Sequence, residues 1–200
     1  FKGLQKKIQK MISPEDEISI SEKKRDALIR KRKLLGMQTL SHQYIKIEGI
    51  EDRCKILISY GDLLLVGGNN GVYQVEEDET EKIISDLYIN NIIADKNNAN
   101  LFYVCTNSGL FIIEYLDEEW EITEIESLNG EIVSNVLTND TSIWAGTNDN
   151  VFLVDTANLT AEEYFLDNKY SEAVIIKEFN DRIYFLLPSQ VLSYSQVQDS

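Results

Sequence analysis

The residues best suited to ligand chemistry are the glycines and asparagines of a phrase at the start of the apolar part of the chain. "LLLVGGNNGVYQV" runs from Leu63 to Val75 and contains Gly67-Gly68 followed by Asn69-Asn70-Gly71. A glycine-rich turn can bring backbone N–H groups close to a ligand such as a phosphate. The phrase has no Gly-Lys-Ser/Thr sequence, so it does not predict a nucleotide-binding loop.

Other candidate groups also fall short of a catalytic or metal site. The segment Asp95–Asn100, "DKNNAN", offers oxygen ligands at alternate positions. It lacks the glycine and terminal glutamate of a calcium loop, and we interpret it as an interstrand turn. His42 is the single histidine, so neither a histidine-based metal site nor a Ser-His-Asp triad is predicted. The sequence therefore predicts a protein that is not an enzyme and has no cofactor.

The phrase is repeated, which changes its interpretation. It returns as "LFYVCTNSGLFII" (101–113), as "SIWAGTNDNVFLV" (142–154) and, much altered, as "RIYFLLPSQVLSY" (182–194). The equivalent positions Val66, Val104, Ala145 and Phe185 are 38, 41 and 40 residues apart. Each copy consists of two apolar strands around an Asn/Gly hairpin, between a preceding strand and a more polar following one. Four strands in about forty residues are typical of a β-propeller blade.

The repeat predicts an all-β fold of four-stranded blades, preceded by an α-helical arm. The predicted first strands are Lys55–Tyr60, Asn91–Asp95, Val133–Asn139 and Val174–Phe179. The predicted fourth strands are Lys82–Ile84, Glu121–Glu126 and Glu162–Leu166. The predicted domains are a basic arm, 1–40, and a propeller segment, 41–200, with blades 41–85, 86–127, 128–167 and 168–200, the last partial. We expect an incomplete propeller, and Tyr44–Ile47 as an outer strand that would complete the last blade of a closed ring.

Charge separates the two parts of the chain. Residues 1–50 contain 12 Lys/Arg and 6 Asp/Glu, whereas residues 51–200 have a net charge of −21. The acidic part would repel phosphates, so no nucleic-acid partner is predicted. In the arm, Ser19 and Glu22 have the spacing of a helix capping box, and Gly36 is a natural helix end. We interpret the basic arm as packing against an acidic surface of its own chain or of a neighbour.

The sequence also bears on membrane insertion, on location and on the two cysteines. No run of eighteen apolar residues is present, so no membrane-spanning segment is predicted. The N-terminus has no apolar signal core, which slightly favours the cytoplasm, although a leader removed before Phe1 would place the chain in the periplasm or outside the cell. Cys54 and Cys105 lie in apolar strand-like runs, and we predict both in the core.

The third copy carries a family resemblance. Ile143, Trp144, Ala145, Gly146, Thr147, Val151 and Asp155 resemble the repeat of the two-component regulator propeller family, with Asn150 where glycine is usual. The other copies keep fewer of these positions, namely Gly67 and Gly71 in the first and Thr106 and Gly109 in the second. The resemblance implies a non-catalytic sensory or regulatory segment of a larger multi-domain signalling protein. A citron-homology propeller is the rival resemblance, and it implies an interaction scaffold that assembles through open blade faces and the helical arm.

Propeller geometry also indicates where recognition would occur. The axial mouth of a propeller is formed by the loops between blades and by the ends of the inner strands. The candidate binding loops are Asn90-Asn91, Gly130-Glu131 and Tyr170-Ser171. The predicted partners are other propeller blades, from the same larger chain or a second chain, and a protein ligand.

Overall fold

The computed structural model describes residues 23–30, 46–77, 79–139, 142–164, 166 and 172–194. The chain divides into two compact units, Phe1–Ile45 and Lys46–Ser200. In the first unit, residues 23–30 form an α-helix, as expected of a run of lysine, arginine, alanine and leucine. The predicted helix caps at Ser19, Glu22 and Gly36 lie outside the described residues, as does His42.

The described part of the second unit consists almost wholly of antiparallel strands in four sheets, here called blades one to four. Blade one contains β1 (Cys54–Tyr60), β2 (Leu63–Gly68), β3 (Gly71–Glu76) and β4 (Glu79–Ser85). Blade two contains β5 (Ile89–Ala94), β6 (Leu101–Thr106), β7 (Leu110–Leu116) and β8 (Glu119–Glu124). Blade three contains β9 (Asn135–Thr138), β10 (Ile143–Gly146), β11 (Val151–Asp155) and β12 (Thr160–Tyr164). Blade four contains β13 (Ile175–Phe179), β14 (Arg182–Leu187) and β15 (Gln190–Tyr194).

Every blade is a meander in which strands pair in chain order, and a short 3₁₀ helix, Glu126–Leu128, separates blades two and three. The repeated phrase forms the second and third strands and their hairpin, as predicted. The all-β class with four-stranded units is therefore confirmed. In β1 and β5, a register shift occurs at the same place, before Ile56 and before Asn91, so the blades repeat even this irregularity.

Some predicted strand bounds are wrong because the blades bond to each other. Val133 and Val174 were predicted to begin first strands, but both lie outside β9 and β13. The Val133 amide instead donates to the carbonyl of Thr106 in the preceding blade at 3.0 Å. The Val174 amide likewise donates to the carbonyl of Thr147 at 2.9 Å. These two valines therefore join consecutive blades rather than extend a strand.

The predicted outer strand Tyr44–Ile47 is not formed in its described half. Lys46 and Ile47 belong to no strand, and Tyr44 lies outside the described residues. The Lys46 side chain pairs locally with Glu48 at 2.9 Å, and Gly49 turns the chain with a φ of +90°. Blade four consequently has three strands in the part of the chain that the structure describes.

Apolar side chains fill the spaces between consecutive blades. Three buried clusters lie between blades one and two, two and three, and three and four. In blades two and three, the side chains of the middle strands point alternately into two of these clusters. The largest buried side chain is Trp144, between blades three and four. The Lys96 ammonium also lies 3.3 Å from the Glu178 carboxylate, so the inner strands of blades two and four converge at one end. Such convergence is expected of sheets arranged about a common axis.

The two cysteines differ in their surroundings. Cys105 is fully buried in the cluster between blades two and three, and burial raises the pKa of its thiol. Cys54 is exposed, so its predicted core position is wrong. It begins β1 on the first blade, where no preceding blade of the described chain covers it.

Candidate functional site

The repeated threonines hold the hairpins between the second and third strands. The Thr106 hydroxyl donates to the Gly109 carbonyl at 2.9 Å and accepts from the Ser108 amide at 3.1 Å. The Thr147 hydroxyl donates to the Asn150 carbonyl at 3.0 Å and accepts from the Asn150 amide at 3.1 Å. Both threonines are buried, so their hydroxyls are structural groups of the turn.

Replacing Thr147 by valine is expected to destabilise this hairpin. Valine keeps the shape of threonine but leaves the two Asn150 backbone groups without their hydroxyl partner, which costs about 1–3 kcal/mol of unfolding free energy. Urea denaturation would measure the loss. Thr147→Ser, which keeps the hydroxyl, should retain most of the stability, and a valine variant as stable as the serine variant would refute the role of the hydroxyl.

In the first copy, the glycine that follows Asn69-Asn70 allows the third strand to approach the fourth. Gly71 has a φ of +137°, and a Cβ there would lie 1.8 Å from the carbonyl oxygen of Ile84. The third copy has Asn150 at this position, and its φ is not positive. The Asn150 side chain instead donates to Glu163 at 2.5 Å and accepts from the Leu166 amide at 3.3 Å. Asn150 therefore attaches the hairpin to the outer strand through its side chain.

The remaining residues of the family phrase also have packing or turn roles. A Cβ on Gly67 would lie 3.0 Å from both Ile89 and Ile92 of the next blade, and one on Gly146 would lie 2.6 Å from the Val174 carbonyl. Asp155 accepts from the amides of Ala157 and Asn158 at 3.0 and 3.2 Å, in the turn before β12. Hydrogen bonds from Asn158 hold the pKa of the Asp155 carboxyl below its ordinary value.

The described candidate loops lie together at the end of the blades where the inner strands begin. The Asn90 side chain donates to the Val133 carbonyl at 2.8 Å, close after Gly130-Glu131 in the chain. The Asn91 side chain accepts from the Ile92 amide at 3.0 Å. The Gly130 amide donates to the Ser108 carbonyl at 2.8 Å, and Glu131 is exposed. Tyr170 and Ser171 lie outside the described residues. At this end, the side chains of Asn90 and Asn91 already make hydrogen bonds within the protein. The Glu131 side chain is exposed to solvent.

A cleft that the sequence did not predict lies at the opposite end, between blades two and three. Its volume is about 690 Å³, and its walls come from the turns after β5 and β11 and from the adjoining strands. Three carboxylates line it, those of Asp95, Asp155 and Glu162, together with Tyr103 and the apolar Ile143. Only the "DKNNAN" turn, which carries Asp95, pointed to this region.

Hydrogen bonds fix the acidic wall of the cleft. Asp95 accepts from the amides of Asn97 and Asn98 at 2.8 and 3.0 Å, which identifies its segment as the predicted interstrand turn. Its other oxygen accepts from the Tyr103 hydroxyl at 3.1 Å. Burial, with the neighbouring Asp95 charge, raises the pKa of Tyr103, so this phenol stays neutral and remains a donor.

The arrangement suits binding of a cationic group. No group of three or more His, Cys, Asp or Glu residues within the described ranges could hold a metal ion. Turn amides hold the carboxylates of Asp95 and Asp155, and Glu162 lies on the strand β12. Because the cleft also has apolar parts, an ammonium or guanidinium group would find both negative charge and contact surface there. No described helix is long and apolar enough to cross a bilayer.

Comparison with solved structures shows the fold. Two structures of the extracellular domain of BT4673 from B. thetaiotaomicron, described as a one-component and as a hybrid two-component system, are 17% and 19% identical to the chain. They match 80% and 74% of it with a TM-score of 0.57. The WD40 β-propeller domain of Doa1 matches 76% of the chain at 11% identity, with a TM-score of 0.56. The fold is a β-propeller.

The matches cover different shares of the compared structures. The chain spans only 22% and 21% of the two BT4673 structures and 54% of the Doa1 structure. The computationally designed Ika4 protein is matched over 98% of its own length and 78% of this chain, at 8% identity and a TM-score of 0.53. No protein-family model and no curated protein matches the sequence.

Proposed function

We propose that the chain is a non-catalytic sensory or regulatory β-propeller segment of a larger multi-domain signalling protein. Its basic arm would be residues 1–40 and its propeller segment residues 41–200. The observation that carries the proposal is that the repeated polar side chains make hydrogen bonds within the fold. The threonine hydroxyls and Asp155 are engaged in turns, and Asn90 joins two blades, which leaves the loop surfaces for recognition.

Two further observations support a signalling role. The third copy of the repeat resembles the two-component regulator propeller phrase. Its matched polar residues, Thr147 and Asp155, make hydrogen bonds that hold turns in this chain. The extracellular domain of a hybrid two-component system is among the structures with the same fold. A sensory propeller of this kind would recognise a ligand or a protein and pass the bound state to other domains.

A second candidate function is an interaction scaffold that assembles through open blade faces. The observation that favours it is the exposure of apolar side chains on the faces of blades one and four that no described blade covers. Leu57 is 71% exposed on blade one and Val191 is 61% exposed on blade four.

The ligand chemistry we propose for the cleft between blades two and three is a cationic group. An arginine-containing tripeptide with blocked termini is expected to shift the amide NMR signals of Asp95, Tyr103 and Asp155. The same peptide with citrulline, which is neutral, should not shift these signals.

Glu162→Gln is expected to weaken arginine-peptide binding about two- to fivefold, since an exposed ion pair contributes up to about 1 kcal/mol. Added salt should weaken binding as well.

Glu121→Gln is the matched control for this experiment. Glu121 is also an exposed glutamate of an outer strand, but it does not line the cleft. It removes the same unit of charge from a chain whose net charge is −15, so a general effect of net charge would appear in both variants. Equal binding of the arginine and citrulline peptides would exclude a cation site in this cleft.

A further inference from the structure

Two asparagines in the sequence are followed directly by glycine, in Asn70-Gly71 and Asn129-Gly130. An asparagine in this position can lose its side-chain amide without an enzyme, because the backbone nitrogen of the next residue attacks the side-chain carbonyl carbon. Glycine favours this reaction, since it has no side chain to shield the nitrogen and lets the backbone rotate freely. Asparagine is accordingly counted among the thermolabile residues. By sequence alone the two sites are equivalent, and the structure distinguishes them.

The Asn70-Gly71 site is held in place by blade one. The Asn70 amide donates to the Asp52 carboxylate at 2.6 Å. Gly71 is buried and begins β3, where a Cβ would lie 1.8 Å from the Ile84 carbonyl oxygen. Deamidation has to turn the peptide group between Asn70 and Gly71 so that its nitrogen approaches the side chain. Because Gly71 lies directly against β4, this rotation requires the two strands to separate.

The Asn129-Gly130 site lies in a surface turn. Both residues are exposed, and they follow the 3₁₀ helix Glu126–Leu128 without belonging to a helix or a strand. Gly130 has a φ of +87°, and a Cβ there would meet nothing within 4 Å. One hydrogen bond restrains the attacking nitrogen, from the Gly130 amide to the Ser108 carbonyl at 2.8 Å. Breaking one hydrogen bond at the surface costs little, and no strand has to leave its sheet.

We propose that Asn129 deamidates spontaneously in the folded protein, whereas Asn70 is protected. The Gly130 nitrogen forms a bond to Cγ of Asn129, and the bond from Cγ to Nδ2 breaks. The proton that the Gly130 nitrogen loses balances the one that the departing amide gains, and ammonia leaves. Water then opens the resulting five-membered ring at either of its two carbonyl carbons, which gives aspartate or isoaspartate at position 129. Water is the only co-reactant, and nothing is oxidised or reduced.

The products change the loop that joins blades two and three. Either product replaces a neutral amide by a carboxylate, so the net charge becomes one unit more negative than −15. The new charge lies two residues before the exposed Glu131, on a loop predicted to line the axial mouth. Isoaspartate also adds a carbon atom to the main chain, next to the Gly130 amide that bonds to Ser108. A consequence for recognition rests on the proposed sensory function, but the modification itself does not.

Peptide mapping by mass spectrometry measures both sites in one sample of the 200-residue chain, after incubation at mildly alkaline pH. The native chain is expected to accumulate aspartate and isoaspartate at position 129. Asn70 should convert at least about tenfold more slowly, because β3 and β4 must open before it reacts. In urea, which removes the restraints of the fold, the two sites should convert at comparable rates. If Asn70 converts as fast as Asn129 in the native chain, or if Asn129 converts only in urea, the proposal is wrong.

Asn129→Gln and Asn70→Gln are the matched variants for this experiment. Glutamine keeps the amide, but its longer side chain has to close a six-membered ring, which is much slower, and both positions are exposed. Asn129→Gln should remove most of the isoaspartate that enzymatic methylation detects in the native chain, and Asn70→Gln should leave it unchanged. Circular dichroism checks that both variants are folded. Undiminished isoaspartate in Asn129→Gln would overturn the assignment, because another residue would then be its source.

Discussion

Replacing Trp144 by alanine is expected to lower the free energy of unfolding by about 3–5 kcal/mol. The side chain is 1% exposed and packs between blades three and four. Its ring centroids lie 5.2, 5.4 and 4.8 Å from those of Tyr164, Phe185 and Tyr194, in tilted or edge-on geometry. Its Nε1 donates to the Ser142 hydroxyl at 2.9 Å. Alanine would leave a cavity that four aromatic or polar neighbours cannot all close.

Trp120→Ala is the matched comparison, because Trp120 is the other tryptophan of the chain and is partly buried. It also donates a hydrogen bond, to Gln74 at 2.6 Å, but it lies on the outer strand β8. Its loss should cost less than that of Trp144. Urea denaturation followed by far-ultraviolet circular dichroism measures both without relying on tryptophan fluorescence. Equal losses in the two variants would contradict a central packing role for Trp144.

Gly71→Ala is expected to be among the most damaging single changes in the chain, with a loss of at least about 4 kcal/mol. The new Cβ would lie 1.8 Å from the Ile84 carbonyl oxygen, well inside any permitted contact, and the φ of +137° is strained for alanine. The two strands β3 and β4 would have to separate where they pair. Thermal and urea unfolding, or the yield of folded protein, would report the effect.

Gly109→Ala separates the two causes. Gly109 has a φ of +153°, close to that of Gly71, but a Cβ there would come no nearer than 3.4 Å to the Leu128 carbonyl oxygen, which is an ordinary contact. Its substitution should therefore cost only the backbone strain, about 1–3 kcal/mol. If Gly71→Ala costs no more than Gly109→Ala, the close approach of the Ile84 carbonyl is not what requires glycine at position 71.

The sequence predicted the blades well because the residues that determine each strand and hairpin lie close together along the chain. Alternating apolar residues determine which side chains are buried, and Asn-Gly or Thr-x-x-Gly turns determine where each hairpin reverses. Since every copy repeats both signals, an ambiguous strand such as β14 could be aligned with clearer ones. The repeat thus predicts Thr147 and Gly71 as turn positions, and the structure has a hydroxyl hydrogen bond at Thr147 and a close backbone contact at Gly71.

Features that depend on two blades at once escaped prediction. Val133 and Val174 have the apolar character of strand residues, but their amides bond to the preceding blade. Cys54 lies in an apolar run, yet it is exposed because no described blade covers that side of blade one. The cleft combines Asp95 of blade two with Asp155 and Glu162 of blade three, and no pattern along the chain brings those carboxylates together. The candidate loops were chosen from general propeller geometry, which does not show that Asn90 is already engaged.

The amide bonds from Val133 to Thr106 and from Val174 to Thr147 have a consequence for how such a chain can change in length. Each bond connects the entry of one blade to the hairpin residue of the blade before it, and the two bonds lie 41 residues apart in the sequence. A duplicated or deleted segment that begins at one valine and ends before the next would re-create the same junction on both sides. Gene rearrangement could then add or remove a whole blade without inventing a new interface.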